Sequence, residues 1–193
     1  MANPETSPEL WVVCGPNGAG KSTIASRHLY RRMPIINPDI IARDTAVSAP
    51  AAGRAAVLER ASLLSRRQTF GWETTLSGRG ELRFLREARA AGYRITVVFV
   101  GVPSPVLSDS RVATRVASGE HDVPTRDLTR RFHGSLRNLA EVFALAHRVV
   151  LADNGTRQYR LLLTWEDGAV TQRAPTLPPW ARAALPAEVL GEC

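Results

Sequence analysis

Nine consecutive residues, Gly15-Pro16-Asn17-Gly18-Ala19-Gly20-Lys21-Ser22-Thr23, constrain this chain more than any other stretch. They read GPNGAGKST and fit the spacing G-x-x-x-x-G-K-[ST], a P-loop whose backbone N–H groups cradle phosphate. Three glycines let successive N–H groups converge on one anion. The flanks supply the required context. Residues 10–14 (LWVVC) form an apolar run suited to a buried parallel strand. Residues 22–32 read as a helix, with Ala25, Leu29 and Met33 at i, i+4 spacing. Such a helix points its N-terminal dipole at the same anion.

The chemistry assigns roles within the loop. Lys21 reaches the outer phosphates, the Ser22 hydroxyl binds Mg²⁺, and Thr23 stands behind them. Composition sharpens this reading. Of 25 basic residues, Lys21 is the one lysine, and the other 24 are arginine. A chain that otherwise uses only the planar guanidinium keeps its compact ammonium where a phosphate loop needs it.

The 193 residues, 44% hydrophobic and 22% charged, suit one core and one domain. No run approaches the ~18 apolar residues of a membrane span. The start MANPETSPEL has neither a basic nor an apolar signal region, and two cysteines, Cys14 and Cys193, give no disulfide pattern. The expectation is a cytoplasmic protein with no membrane partner, and Cys14 as a small buried hydrophobe. The net charge of +7 is spread along the chain without interleaved aromatics. That favours an anionic small ligand over a nucleic-acid track.

Further along, apolar strands at 33–37, 68–73, 94–100 and 148–153 alternate with helices at 54–67, 80–91, 105–118 and 125–147. Alternation predicts an α/β fold: a five-stranded parallel sheet with helices on both faces. Residues 46–53 (AVSAPAAG) read as a mobile loop. A small β-hairpin follows over 159–172. The division expected is a polar leader (1–9), one domain (10–173) with a helical lid at about 104–131, and a Pro/Ala-rich tail (174–193). Little regular structure is expected in the tail, with Trp180 as an anchor.

Ligands of an open parallel sheet bind beyond the carboxyl ends of its strands. That rule nominates Asn37 and Asp39, Glu73, Val102 and Pro103, and Asp153 and Asn154 around the P-loop crevice. Asp39 is the first candidate for a carboxylate that orients or deprotonates a hydroxyl, and Asp44 the second. Glu73 ends an apolar strand, so Mg²⁺-bound water, substrate or an arginine must satisfy it. Arg111, Arg115, Arg130 and Arg131 supply cations to a closing lid that neutralises phosphoryl charge. His121 lies in the break between the two lid helices.

These motifs, in order, are GPNGAGKST, Asn37-Pro38-Asp39, the ETTLSG run of residues 73–78, Arg111-Val112-x-x-Arg115-Val116, Gly119-x-His121-Asp122-Val123-Pro124, Arg130-Arg131, Ser135-Leu136-x-Asn138-Leu139 and Asp153-Asn154. The series resembles the zeta-toxin family of P-loop kinases, over residues 10–155. The resemblance implies an adenylate-kinase-like P-loop NTPase core and MgATP as cofactor. The substrate it implies is a nucleotide sugar, UDP-N-acetylglucosamine, phosphorylated on a hydroxyl. Residues 15–23 with Arg111 and Asn154 then hold ATP, while Glu73, Thr75, His121 and Asp39 face the substrate. The lid arginines correspond to Arg115, Arg130 or Arg131. The better-known members carry a catalytic aspartate in a longer segment between strands two and three. Here Asp39 or Asp44 takes its place, and His121 stands near the place of a second lid arginine. An antitoxin or inhibitory protein remains open as a partner. Other readings are a kinase of an antibiotic, nucleoside or sugar, and an ATP-dependent regulatory module that binds RNA.

Overall fold

A computed structural model describes residues 7–116, 125–156 and 158–191. Its centre is one seven-stranded sheet, ordered β2-β3-β1-β4-β5-β6-β7. The strands are β1 (Glu9–Cys14), β2 (Ile35–Ile36), β3 (Phe70–Thr74), β4 (Arg94–Gly101), β5 (Arg148–Asp153), β6 (Arg160–Glu166) and β7 (Ala169–Arg173). The first five are parallel. The hairpin β6–β7 continues the same sheet antiparallel beside β5 rather than standing apart from it. The α/β P-loop architecture read from the sequence is therefore the one present, extended by two strands.

β1 lies between β3 and β4 in the middle of the sheet, with helices over both faces; Leu10, Val12, Val13 and Cys14 are all buried. This explains its unbroken apolar sequence. One face packs against α1 (Lys21–His28) through Val13, Ala25 and Leu29. The other packs against α4 (Arg79–Ala90) and α6 (Thr125–Leu145), where Phe70, Leu85, Phe99 and Leu139 form the main core. Cys14 lies in that core, and burial pushes its thiol far above the ordinary range. Cys14 is expected to resist a maleimide reagent in the native protein and to react once guanidinium unfolds it; native labelling at the unfolded rate would contradict this placement.

Two regions depart from the sequence reading. Residues 46–53 do not form one loop. α2 (Pro38–Thr45) ends at Ala46 in the left-handed conformation, and α3 (Ala49–Ser65) starts three residues later. Pro50 in the first turn suits a helix start, and the small Ala52 and Ala56 let α3 pack closely. The tail is also ordered. α7 (Pro179–Ala184) and α8 (Ala187–Leu190) lie against the sheet through Trp180, Leu185 and Val189. Trp180 stacks on Phe99 with centroids 6.2 Å apart and donates its indole N–H to Asp153 Oδ1 at 2.9 Å. Its ring fills the space above Gly101, where a Cβ would lie 2.2 Å from it. The remaining segment is α5 (Pro105–Val116), which packs on α6.

Candidate active site

A loop that cradles an anion with its N–H groups must turn its carbonyls away, and each then needs a donor. The loop after β1 meets this requirement. Pro16 O accepts from Lys21 Nζ at 2.9 Å and Asn17 O from Ser108 Oγ at 2.6 Å. Ala19 O accepts from Asn154 Nδ2 and Gly20 O from Tyr159 Oη, both at 2.8 Å. The donors come from α5, from the turn after β5 and from the approach to β6. All three loop glycines have positive φ and no room for a Cβ; at Gly18 it would sit 2.6 Å from Ser108 O. Gly15 has φ 134°, and a Cβ would sit 2.0 Å from Val100 O. Gly20 has φ 92°, and a Cβ would sit 2.3 Å from Tyr159 Oη. Lys21 is buried, whereas Ser22 and Thr23 are exposed at the start of α1.

β3 delivers Glu73 beside this loop, in register with Val13. Its carboxylate is only 6% exposed and both oxygens are held. Ser22 Oγ donates to Oε1 at 2.6 Å, and Asn37 Nδ2 donates to Oε2 at 2.9 Å. Burial pushes the Glu73 carboxyl above its ordinary pKa. The Lys21 charge and the bonds from Ser22 and Asn37 oppose that shift, while the Asp39 charge adds to it. Asn37 Oδ1 accepts from Asp39 N at 2.9 Å, which caps α2. Asp39 is exposed in the first turn of that helix. Ser22, Glu73, Asn37 and Asp39 are thus one continuous chain of hydrogen bonds.

On the other side of the loop lies an open groove of about 870 Å³, lined by Thr23, Arg27, Arg111, Asn154, Thr156 and Tyr159 among others. Arg111 donates to Asn154 O at 2.7 Å and Thr156 O at 3.4 Å, which joins α5 to the far wall. Arg111 and Asn154 were nominated by the sequence. Tyr159 and Arg27 were not, although Tyr159 follows the turn after the fifth strand, where the carboxyl-end rule applies.

The ETTLSG run is a braced turn. Glu81 accepts from Thr74 Oγ1 and Gly78 N, and Asn138 Nδ2 donates to Leu76 O at 2.9 Å and Gly78 O at 3.3 Å. Thr75 Oγ1 and Ser77 Oγ lie 2.9 Å apart. Leu76 is fully buried at φ 55°. Of the other sequence candidates, Asp44 lies in the last turn of α2, exposed, with Arg43 Nε 2.8 Å away. Arg130 pairs with Asp127 at 3.2 Å, and Arg131 is half-buried on α6. Arg115 falls within α5, but its side chain, like the whole of His121, lies outside the described residues. Among the described residues there is no cluster of three His, Cys, Asp or Glu side chains fit for a metal. No described helix is long and apolar enough to cross a membrane.

The family model AAA_33, described as an AAA domain, matches residues 10–131, from β1 and its phosphate loop into the start of α6. The chain belongs to the AAA_33 family. An uncharacterized protein of Haemophilus influenzae is 29% identical over 125 residues, which cover 58% of this chain and 89% of that protein. Among solved structures, this AAA_33 protein is similar to the AvrRxo1-ORF1:-ORF2 complex with ATP (TM-score 0.69, 15% identity, 86% of this chain). The chain spans 60% of the length of that chain. It is also similar to the PezAT chromosomal toxin-antitoxin system of Streptococcus pneumoniae (TM-score 0.62, 16% identity, 89% of this chain and 76% of that one). At these identities the likeness is one of fold: an α/β P-loop domain.

Proposed function

We propose that this AAA_33 protein is an ATP-dependent small-molecule kinase acting on a hydroxyl of a nucleotide sugar of the UDP-N-acetylglucosamine type. The observation that carries the reading is the hydrogen-bonded chain from Ser22 through Glu73 and Asn37 to Asp39. It ends on the backbone N–H of Asp39 and so fixes, beside the phosphate loop, the first turn of the helix that carries this carboxylate, whose charge acts on Glu73. In this reading the ATP phosphates lie on residues 15–23 and the base in the groove walled by Arg111 and Tyr159. Lys21 takes up negative charge as it develops on the transferring group. Asp39 accepts the proton of the acceptor hydroxyl while its oxygen forms the new bond to phosphorus and ADP departs. Asp39 is favoured over Asp44 because its charge acts on Glu73, whereas Asp44 is turned to solvent and Arg43.

Ser22 and Glu73 offer hard oxygen donors, which fit Mg²⁺. When bound there, the ion would neutralise phosphate charge. Arg130, Arg131 and Arg115 are the reading's candidates for lid cations, and Thr75 and His121 for acceptor contacts. The PezAT likeness, together with the family resemblance, supports an inhibitory protein as a further partner of the crevice.

The acceptor is tested by incubating the protein with MgATP and UDP-N-acetylglucosamine and following the sugar nucleotide by mass spectrometry. A gain of one phosphate, absent with Asp39→Asn and retained with Asp44→Asn, is expected. ATP consumption with an unmodified sugar nucleotide would remove this acceptor. Retention by Asp39→Asn with loss in Asp44→Asn would reverse the assignment of the base.

A further inference from the structure

Asn37 makes contacts that its place in the Asn37-Pro38-Asp39 motif does not by itself explain. It is 4% exposed, at the junction of β2 and α2, and both ends of its amide are committed. Its oxygen caps the helix that carries Asp39, and its nitrogen fixes the second oxygen of Glu73, whose first oxygen holds the P-loop serine. An amide is the side chain that can accept on one side and donate on the other, which an aspartate could not do here. Capping alone would be served by serine or aspartate. The donor half is therefore surplus to helix formation, and it points to the carboxylate that borders the phosphate loop.

We propose that Asn37 is a positioning residue that couples the phosphate side of the crevice to the acceptor side. The inference rests on the kinase reading above. Any rearrangement of Ser22 as a nucleotide and its metal bind must move or release Glu73 Oε1. The two oxygens of Glu73 belong to one planar carboxylate, so Oε2 moves with Oε1. Asn37 transmits that change to the first turn of α2 and so to Asp39. Linkage makes the effect reciprocal: an acceptor that orders α2 tightens the phosphate side by the same factor.

The test uses Asn37→Ser, which keeps a capping oxygen and removes the donor to Glu73. MgATP binding is measured by calorimetry, and amide hydrogen exchange of residues 38–45 is followed with and without MgATP. In the wild-type protein MgATP is expected to slow exchange in α2. In Asn37→Ser the α2 exchange without nucleotide should stay near wild type and MgATP should still bind, while the thermal midpoint falls modestly because Glu73 loses a buried donor. The MgATP-induced slowing should be lost, and kcat for phosphoryl transfer should fall by about 10-fold or more with the ATP KM within about 2-fold. A merely structural asparagine would instead raise α2 exchange without nucleotide and leave the MgATP-induced slowing in place. Wild-type α2 unresponsive to bound MgATP, or slowing preserved in Asn37→Ser, would overturn the coupling and leave the kinase reading intact. No MgATP binding by the wild-type protein would overturn both.

Discussion

Lys21→Ala is expected to reduce ATP-dependent phosphoryl transfer by at least about 10²-fold while leaving the fold in place. The ammonium is the one compact cation that the chain supplies at the phosphate loop, and in the buried site its charge is poorly screened. Removing one preorganised electrostatic group of this kind costs about 10²–10³ in kcat. Lys21→Arg should fare little better, since the planar fork must displace the bond to Pro16 O without matching its reach. The change should be confined to function. Lys21 Nζ rests on a carbonyl of its own loop, and the tether points of that loop at Ser108, Asn154 and Tyr159 are untouched. Circular dichroism and a thermal melt separate the two effects. A variant that transfers phosphate at the wild-type rate would remove the loop from the chemistry.

Trp180→Ala should be strongly destabilising, although the residue lies in the C-terminal tail. The indole is 6% exposed, stacks on Phe99 and covers Gly101 at the carboxyl ends of β4 and β5. Truncating a buried tryptophan costs about 3–5 kcal/mol, a drop in Tm of about 6–20 °C for a chain of this size. Asp153, buried at 9% exposure, would also lose the indole donor at 2.9 Å. Trp180→Phe keeps most of the ring contact and should lose less, about 1–3 kcal/mol from the unpaired carboxylate. A shift within about 0.5 kcal/mol for Trp180→Ala, the range of ordinary surface substitutions, would mean that α7 is not part of the core.

The contrast between these two positions shows what the sequence could disclose. Lys21 was legible because its function depends on local spacing: strand, glycines, lysine, hydroxyl and helix follow one another along the chain. The parallel strands were legible for a similar reason, since burial on both faces leaves an apolar run. Glu73 and Asp39 were found by the carboxyl-end rule, which depends only on strand order. The tail was misread because Pro and Ala give no periodicity, and α7 is held by a tryptophan packing on residues about 80 positions earlier. Residues 46–53 were misread because alanine and a first-turn proline suit both a loop and a helix start. Tyr159 and Ser108 act through single hydrogen bonds to distant residues, and no one-dimensional pattern marks such contacts; the rule that nominated Asn37 likewise did not disclose its bond to Glu73. Asp39 and Asp44 were ranked first and second from the sequence, and both are exposed. The action of the Asp39 charge on Glu73 and the pairing of Asp44 with Arg43 distinguish them.

The central claim is that phosphate leaves ATP for an acceptor held beside the P-loop, rather than for water. The most direct measurement is a phosphate balance: ADP and inorganic phosphate followed together in MgATP, with and without a small-metabolite extract, using Lys21→Ala as the blank. The account predicts that the extract accelerates ADP formation with no matching rise in inorganic phosphate, the difference appearing in a phosphorylated metabolite. Equal amounts of ADP and inorganic phosphate under both conditions would contradict it and identify the protein as an ATP-hydrolysing regulatory module.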